Sequence, residues 1–313
     1  MDCVGGRVTD FKALEEHVFP QLEGIGWSPA QMQLFRPISE IADNPIKLAV
    51  RDGRGQCLGI LQWSPPAAVQ AVANAVRLAE AARRRLGEDL GGVVLAATLE
   101  GEFQSRSFAL YPWMGVLSDR RIVSRLHNWR YAVPLLKWLR EVCATTFSPL
   151  SESEYASRVV APLDQLSGEA GLVPAARDAV MEARTAVQSG GFRPCVGPVH
   201  NDLWRGNVLL PQAESSPRSV RWPFFLIDWG ASTLAGFPVW DLLRILRSLR
   251  VPHRVAARVL RQHCEGLEMS LEEGRHSLML ALADLGLYRN EFPLDLYLSS
   301  VESYHAYFAE LAD

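Results

Sequence analysis

The segment Pro198-Val-His-Asn-Asp-Leu-Trp-Arg-Gly-Asn-Val-Leu-Leu210 decides how the fold is interpreted. It spaces His200, Asp202 and Asn207 as H-x-D-x-x-x-x-N, directly before the apolar run 208–210, which predicts a short strand. A carboxylate beside an acceptor hydroxyl can orient that group and take its proton, and an amide oxygen a turn away can hold Mg²⁺ against phosphates. Asp202 and Asn207 therefore fit two roles in phosphoryl transfer.

A second segment, Phe224-Phe-Leu-Ile-Asp-Trp-Gly230, is typical of a buried strand that ends in a carboxylate. Its Asp228 can supply a second hard oxygen ligand to Mg²⁺. A charge so close to an apolar strand is costly, and a bound divalent cation offsets that cost. A third segment, Gly236-Phe-Pro-Val-Trp-Asp-Leu-Leu243, then opens a predicted helix.

These three segments, in this order, resemble the aminoglycoside phosphotransferase and choline kinase-like superfamily, whose members are relatives of protein kinases. The order of elements matches over nearly the whole chain, but the specific motifs lie between His200 and Asp241. The resemblance implies that Asp202 is the catalytic base and that Asn207 and Asp228 hold Mg²⁺. It also implies that His200 and Asp241 are structural supports of the catalytic loop.

Each motif residue also has a simpler interpretation when it is taken alone. His200 is then a hydrogen-bonded interior histidine, Asn207 a turn residue and Asp241 a helix N-cap. The pairing of Asp202 with Asp228, each beside a predicted strand, favours the functional interpretation.

The resemblance implies an α+β, bilobal protein kinase-like fold, and the local patterns agree with it. Residues 1–112 are expected to form a nucleotide-binding lobe built on a small antiparallel sheet, and residues 113–313 a mainly helical catalytic and substrate-binding lobe. The predicted strands and helices of the first lobe are strands 31–39, 45–52, 56–63, 92–99 and 107–111 with helices 9–19 and 67–86, the latter ended by Gly87. The second lobe is predicted to contain helices 122–146, 152–166 and 174–189 and several more after Asp241.

The third predicted strand departs from the kinase pattern, which has a lysine that binds nucleotide phosphates and pairs with a glutamate of the next helix. Gln62 occupies the lysine position. If the turn 52–55 is a two-residue hairpin turn, Lys47 lies opposite Ile60 and shares a face with Gln62, so Lys47 can supply the missing charge. Glu80 has about the position of the helix glutamate, and a solvated helical charge is the equal alternative.

The nucleotide base is expected at the run Phe108-Ala-Leu-Tyr-Pro-Trp113, where the resemblance places the hinge between lobes. Leu110, Tyr111 and Trp113 are the candidate contacts, and aromatic core packing is the simpler account of the two aromatic residues. The stretch 39–45 between the first two strands has no glycine, so backbone amides there cannot approach phosphates as they do in a glycine-rich loop.

Composition and charge exclude several other classes of protein. The 313 residues are 48% hydrophobic and 21% charged with a net charge of −3, and the basic residues form no run, so nucleic acid is not an expected partner. The five cysteines form no C-x-x-C pair, and no leader or apolar span is visible. A cytoplasmic location is expected.

The leading hypothesis is an Mg²⁺-dependent enzyme that transfers the γ-phosphate of ATP or GTP to a hydroxyl of a small acceptor, such as an aminoglycoside, another antibiotic, a sugar or an amino alcohol. The alternative is a catalytically impaired pseudokinase that binds a nucleotide or a partner, as Gln62 suggests. A kinase for a protein or a lipid-linked sugar is the weakest option. The helices after Asp241 mix arginines with glutamates, so their sequence does not indicate the charge of the acceptor.

Overall fold

Runs of apolar residues in the first third of the chain form a five-stranded antiparallel sheet. The structure, a computed structural model, describes residues 5–38, 41, 44–117, 121–211, 221–287 and 293–313. The chain forms two units, one of Met1–Glu80 with Leu95–Gly115 and the other of Ala81–Val94 with Val116–Asp313. The predicted boundary after residue 112 stays a prediction.

The first unit is a sheet with the strand order β1-β2-β3-β5-β4. Its elements in chain order are α1 (Gly5–Gly24), β1 (Pro29–Leu34), β2 (Ile46–Asp52), β3 (Cys57–Trp63), α2 (Ala71–Gly91, which continues into the second unit), β4 (Leu99–Phe103) and β5 (Arg106–Pro112). As predicted, Gly87 interrupts α2, because its φ of 73° is outside the helical range. Serine 39 and three other residues of the predicted glycine-free stretch 39–45 lie outside the described residues.

The hairpin between β2 and β3 has a different register from the predicted one. Asp52 N donates a hydrogen bond to Gln56 O at 2.9 Å, so the loop has three residues, and Gly55 adopts a φ of 81°. A bulge between Val50 and Arg51 then shifts the pairing by one more residue. The prediction of a two-residue turn is wrong.

These two shifts leave the side-chain orientation unchanged, because together they add an even number of residues to the pairing. Lys47 lies opposite Gln62, and Ile60 instead faces Ala49. Since opposite residues of an antiparallel pair share a face, Lys47 and Gln62 point to the same side of the sheet. The predicted pairing of Lys47 with Ile60 is wrong, and the predicted shared face is confirmed.

Each face of this sheet packs against a different helix. One face carries the large core, in which Leu14, Val18 and Leu22 of α1 pack with buried residues that include Leu48, Leu61 and Leu110. On the other face Val72 and Val76 of α2 pack against Ala109, which lies opposite Gln62. Lys47 and Gln62 therefore lie on the α2 face, and Leu110 on the α1 face.

Residues 92–98 do not form the strand predicted for 92–99, since β4 begins only at Leu99. Part of this apolar run pairs within the second unit instead. Leu226 N donates a hydrogen bond to Val93 O at 2.7 Å, and Val94 forms a parallel bridge with Leu226. An apolar run indicates that the segment is buried. Burial alone does not distinguish a strand from a buried loop between two elements.

The second unit is mainly helical, with short strands around the predicted motifs. After β6 (Gly115–Val116), its elements are α3 (Arg121–Thr146), β7 (Ser148–Pro149), α4 (Ala161–Gly168), α5 (Pro174–Gln188), β8 (Cys195–Val199), β9 (Val208–Leu210), β10 (Phe225–Leu226), β11 (Thr233–Gly236), α6 (Trp240–Ser248), α7 (His253–Gly266), α8 (Leu271–Leu287) and α9 (Leu294–Ala312). The predicted helix 152–166 is broken into a 3-10 turn (Glu152–Glu154), a π-helical turn (Ala156–Val160) and α4. None of the helices in the described part of the chain combines the length and apolar composition that a bilayer span requires.

Besides β6, three strands of this unit were not predicted, namely β7, β8 and β11. They form a small sheet with the order β11-β8-β7. The run Cys195-Val-Gly-Pro-Val199 contains glycine and proline, which disfavour a strand prediction. The structure explains the glycine, because a Cβ at Gly197 would lie 2.5 Å from the ring of Phe147.

The core of the second unit contains a fully buried histidine. His263 of α7 contacts Cys143 of α3, with 3.7 Å between Nε2 and Sγ. Burial lowers the pKa of His263 to about 4. The folded chain therefore keeps this imidazole neutral at pH values at which the unfolded chain, with a pKa of about 6.5, is protonated.

We expect acidification to destabilise the fold through His263. Because its folded pKa lies below the unfolded value, its contribution is complete above about pH 6.5 and is lost as the pH falls through about 4. This loss lowers the free energy of unfolding by about 3 kcal/mol. Urea unfolding of the parent and of His263→Leu between pH 7 and 4 should show a smaller decrease in the variant. His253→Leu, at an exposed position, is the control, and equal decreases in all three proteins would contradict the prediction.

Candidate active site

The predicted catalytic loop, between β8 and β9, is held by the buried side chain of His200. Its backbone N–H donates to Asp241 Oδ2 at 2.6 Å, and its Nε2 bonds to Ile227 O at 2.9 Å. Its ring also packs on the indole of Trp229, with centroids 4.6 Å apart. One residue thus connects the loop with α6 and with the end of β10.

The hydrogen bonds of His200 define its protonation. Asp202 N donates to His200 Nδ1 at 3.3 Å, so Nδ1 must be the acceptor nitrogen. Nε2 must then carry the hydrogen that it donates to Ile227 O. The imidazole is therefore neutral, and both of its nitrogens have a partner.

The amide of Asn207 connects the two predicted motifs. Its Nδ2 donates to Asp202 O at 2.9 Å and to Asp202 Oδ2 at 3.0 Å. The backbone carbonyl oxygen of Asn207 accepts from Ile227 N at 3.1 Å, which places Asn207 beside the residue before Asp228. Because both side-chain bonds use Nδ2, the Oδ1 oxygen is the atom that this amide can offer to a cation.

Asp228 follows β10 in the left-handed conformation, with φ 67° and ψ 57°. A residue with a Cβ is strained there by about 1–2 kcal/mol, and such strain tends to persist at functional sites. The donor set of Asn207 Oδ1 with the Asp228 carboxylate suits Mg²⁺, which takes one or two protein oxygens and completes its shell with phosphate and water. No cluster of three or more His, Cys, Asp or Glu side chains suited to a metal occurs among the described residues, so an all-protein cage is not formed there.

Asp241 supports the loop from the first turn of α6. It is buried, and its Oδ2 accepts the N–H of His200. Burial raises the pKa of Asp241, and the hydrogen bond from His200 opposes that shift. The N-cap interpretation is wrong, because the position before the helix is occupied by Val239, whose φ of 82° is strained for a β-branched residue.

Sequence reasoning missed Arg244, which forms an ion pair with Asp202 Oδ1. Arg244 lies three residues after Asp241 in α6, and residues at this spacing lie on the same side of a helix. An arginine one turn after the supporting aspartate was therefore the available signal. Its guanidinium carbon also lies 5.3 Å from the ring centre of Trp240.

The glycine of the predicted catalytic loop lies against the neighbouring indole. A Cβ at Gly206 would meet the outer edge of the ring of Trp204. Trp204 is nevertheless 39% exposed, so it covers the loop without being part of the core.

The first unit holds the other predicted site residues. Gln62 is 6% exposed, Lys47 is partly buried on the same sheet face, and Glu80 is exposed on α2. Burial and the nearby charge of Glu80 raise the pKa of Glu100 in β4. Glu80, near the middle of α2, therefore lies close to another carboxylate.

The predicted hinge residues have different environments. Leu110 is fully buried, and its carbonyl oxygen accepts Thr98 N at 2.7 Å, so this oxygen is engaged within the first unit. Trp113 N donates to Leu58 O at 2.8 Å, and the Trp113 ring lies 5.9 Å from that of Phe35. Tyr111 is partly buried on the α2 face. These contacts agree with the packing alternative for Tyr111 and Trp113, and a nucleotide contact at 110–113 stays a prediction.

Comparison with known proteins supports the fold through structure rather than sequence. No family model matches the chain, and no curated protein matches it in sequence. A thermostable mutant of aminoglycoside phosphotransferase APH(4)-Ia, solved in a ternary complex with ADP and hygromycin B, has a TM-score of 0.55 at 12% identity, covering 96% of this chain and 99% of that one. A choline/ethanolamine kinase family protein from Mesorhizobium loti has a TM-score of 0.52 at 16% identity, covering 97% and 95%.

This is a protein kinase-like fold. A putative fructosamine-3-kinase from Haemophilus somnus 129PT also shares it, with a TM-score of 0.52, 12% identity and coverage of 93% and 95%. The predicted α+β, bilobal kinase-like fold class is thus confirmed. At these identities the kinase-like fold is what the likeness establishes, and the chemistry must be argued from the site.

We expect His200→Ala to loosen the loop of this kinase-like fold. The change leaves the Ile227 oxygen and the Asp202 N–H without their partner, which should lower the free energy of unfolding by about 2–4 kcal/mol. Urea denaturation, compared with His253→Ala at an exposed position, measures this effect. A change below about 0.5 kcal/mol, the usual range for a surface substitution, would show that the loop does not depend on His200.

Proposed function

We propose that this protein is an Mg²⁺-dependent kinase that transfers the γ-phosphate of ATP or GTP to a hydroxyl group of a small molecule. The observation that carries the proposal is the bonding of Asn207, which contacts the carboxylate of Asp202 and the backbone beside Asp228. A base and two cation ligands are thereby held in one connected group. The small-molecule kinases that share the fold support the same chemistry.

In this proposal Asp202 orients the acceptor hydroxyl and takes its proton. The Asn207 amide holds one oxygen of that carboxylate, and His200 holds the backbone of the same residue, so the base is positioned before the acceptor binds. Asn207 Oδ1 and Asp228 bind Mg²⁺, which when bound neutralises phosphate charge and aligns the transferred group. Catalysis then comes from positioning and electrostatics rather than from a covalent intermediate.

The nucleotide is assigned to the predicted first lobe, residues 1–112. Lys47 supplies the phosphate-binding charge from the face that it shares with Gln62, and Glu80 supports it. Leu110, Tyr111 and Trp113 form the proposed base-binding segment. A small-molecule acceptor, a cytoplasmic location and the absence of a nucleic-acid partner complete the proposal.

A second function, a pseudokinase that binds nucleotide without transferring phosphate, is favoured by one observation. Gln62 is buried at the third-strand position where a lysine is expected, so the local charge is lost. The two functions differ in whether the second-strand cation, Lys47, replaces that charge.

We expect Asp202→Asn to lower turnover by about 10²–10⁴-fold, the usual contribution of a general base, with little change in nucleotide affinity. Asp228→Asn should weaken Mg²⁺-dependent nucleotide binding as well, because it removes a cation ligand. Diphosphate release with an acceptor panel and calorimetric titration of nucleotide with and without Mg²⁺ measure both effects. Asp178→Asn, at an exposed position of α5, is the matched control. Full turnover in Asp202→Asn would refute the assignment of the base.

We expect Lys47→Ala to weaken nucleotide binding by about tenfold or more, which corresponds to about 1.4 kcal/mol. The reason is that the chain has only three lysines, Lys12, Lys47 and Lys137, and Lys47 is the one on the sheet face of Gln62. Calorimetric titration with ATP and GTP tests this, with Lys12→Ala on the exposed side of α1 as the control. Unchanged affinity would favour the pseudokinase with a different nucleotide site.

A further inference from the structure

The carboxylate of the proposed base has a partner on each of its oxygens. Oδ2 of Asp202 accepts the Asn207 amide at 3.0 Å, and Oδ1 is paired with the guanidinium of Arg244. The Asn207 bond is part of the loop structure. The Arg244 bond instead comes from a side chain of α6, 42 residues away and outside the loop. An acceptor hydroxyl that approaches Oδ1 must share that oxygen or replace the guanidinium.

Another anion can readily replace Asp202 as the partner of Arg244. The side chains of Arg244 and Asp202 are 24% and 40% exposed, and ion pairs open to water contribute little to stability. The Nε–H of Arg244 is buried and has no hydrogen-bond acceptor among the described residues. A guanidinium has five donors in a planar fork that matches carboxylate and phosphate, so Arg244 is only partly satisfied by Asp202.

The surface around this pair is cationic and aromatic. Arg247, one turn after Arg244, is exposed, donates to the hydroxyl of Ser303 at 2.5 Å and lies 5.0 Å from the ring centre of Tyr304. The Tyr304 ring in turn contacts Trp240, with centroids 4.6 Å apart. Helix α6 thus presents two guanidinium groups, that of Arg244 beside Trp240 of the same helix and that of Arg247 beside Tyr304 of α9.

Two acidic groups near this surface are already engaged. Asp202 is paired with Arg244, and Asp241 is buried against His200. Glu310 of α9 contributes to a raised pKa of Tyr307, whose main cause is burial, and the charge of Arg247 opposes that shift. A polycationic acceptor would meet two like charges here, whereas an anion would meet complementary ones.

We propose that the acceptor carries an anionic group, a carboxylate or a phosphate, which binds Arg244 in place of Asp202 and so frees Oδ1 for the acceptor hydroxyl. This inference rests on the proposed kinase function and names the substrate class of that site. The freed oxygen takes the hydroxyl proton as the acceptor oxygen bonds to the γ-phosphorus. The bond from that phosphorus to its bridging oxygen breaks, and the nucleoside diphosphate leaves.

The test uses four sugars that differ mainly in charge: glucose, glucosamine, glucuronate and glucose 6-phosphate. Diphosphate release from ATP and GTP is measured for each sugar and without any acceptor, with and without inorganic phosphate. The proteins are the parent, Arg244→Gln, Arg247→Gln and Asp202→Asn. Arg258→Gln, at an exposed position of α7, is the matched control for loss of an arginine.

In the parent we expect kcat/KM for at least one anionic sugar to exceed that for glucose and glucosamine by about tenfold or more, the effect of one good charged contact. Arg244→Gln should abolish this preference and Arg247→Gln should reduce it, while Arg258→Gln retains it. Without acceptor, Arg244→Gln should hydrolyse nucleotide several-fold faster than the parent, because Oδ1 is free to bind water. Inorganic phosphate should stimulate hydrolysis by the parent but not by Arg244→Gln. The comparison of the two anionic sugars distinguishes carboxylate from phosphate.

Several results would overturn the inference. They are a preference for glucose or glucosamine, an equal loss of activity with all sugars in Arg244→Gln, which indicates a positioning role alone, and no effect of phosphate on hydrolysis by the parent. In each of these cases, diphosphate release above that of the Asp202→Asn variant would leave the kinase function intact. If diphosphate release by the parent equals that of Asp202→Asn with every sugar and without acceptor, the kinase function itself is rejected, and the inference with it.

Discussion

The neutral imidazole of His200 is the interaction on which the arrangement of the site depends. Its two nitrogens and its backbone N–H bond to Ile227, Asp202 and Asp241, which belong to three different segments of the chain. A protonated ring has no acceptor nitrogen, so protonation would remove the bond from Asp202 N. The ring also packs against the indole of Trp229, with centroids 4.6 Å apart. The proposed base and the proposed cation ligands are therefore ordered by a residue that does not itself need to contact a substrate.

Backbone strain surrounds this histidine. Asn201, Asp228 and Val239 all have a positive φ, between 64° and 82°, and each lies next to a bonded position of the site. Such conformations persist only where the surrounding contacts determine them. Asn201 Nδ2 donates to Ala231 O, and Trp240 Nε1 donates to Asn201 O, each at 2.9 Å. These side-chain bonds hold the strained turns in place and connect the stability of the loop with that of α6.

Short-range patterns predicted the parts of the site that are close in the sequence. Asp202 and Asn207 lie within one loop, and the pairing of β9 with β10 brings Asn207 beside Ile227, the residue before Asp228. Arg244 was missed because its contact spans 42 residues and depends on the rotation of α6, which the spacing from Asp241 only suggests. The register of β3 was missed for another reason. Its residues are largely buried on both faces, so no alternation of polar and apolar residues marks the bulge.

The hairpin between β2 and β3 restricts how the length of this segment can change. Its three-residue loop and its bulge each displace the pairing by one residue, and only their combination keeps Lys47 and Gln62 on the face of α2. Loss of either displacement alone would turn every later residue of β3 to the opposite face, so that Leu61 would exchange sides with Gln62. Insertions and deletions in this hairpin are therefore compatible with both the α1 core and the Lys47 position only when they occur in pairs.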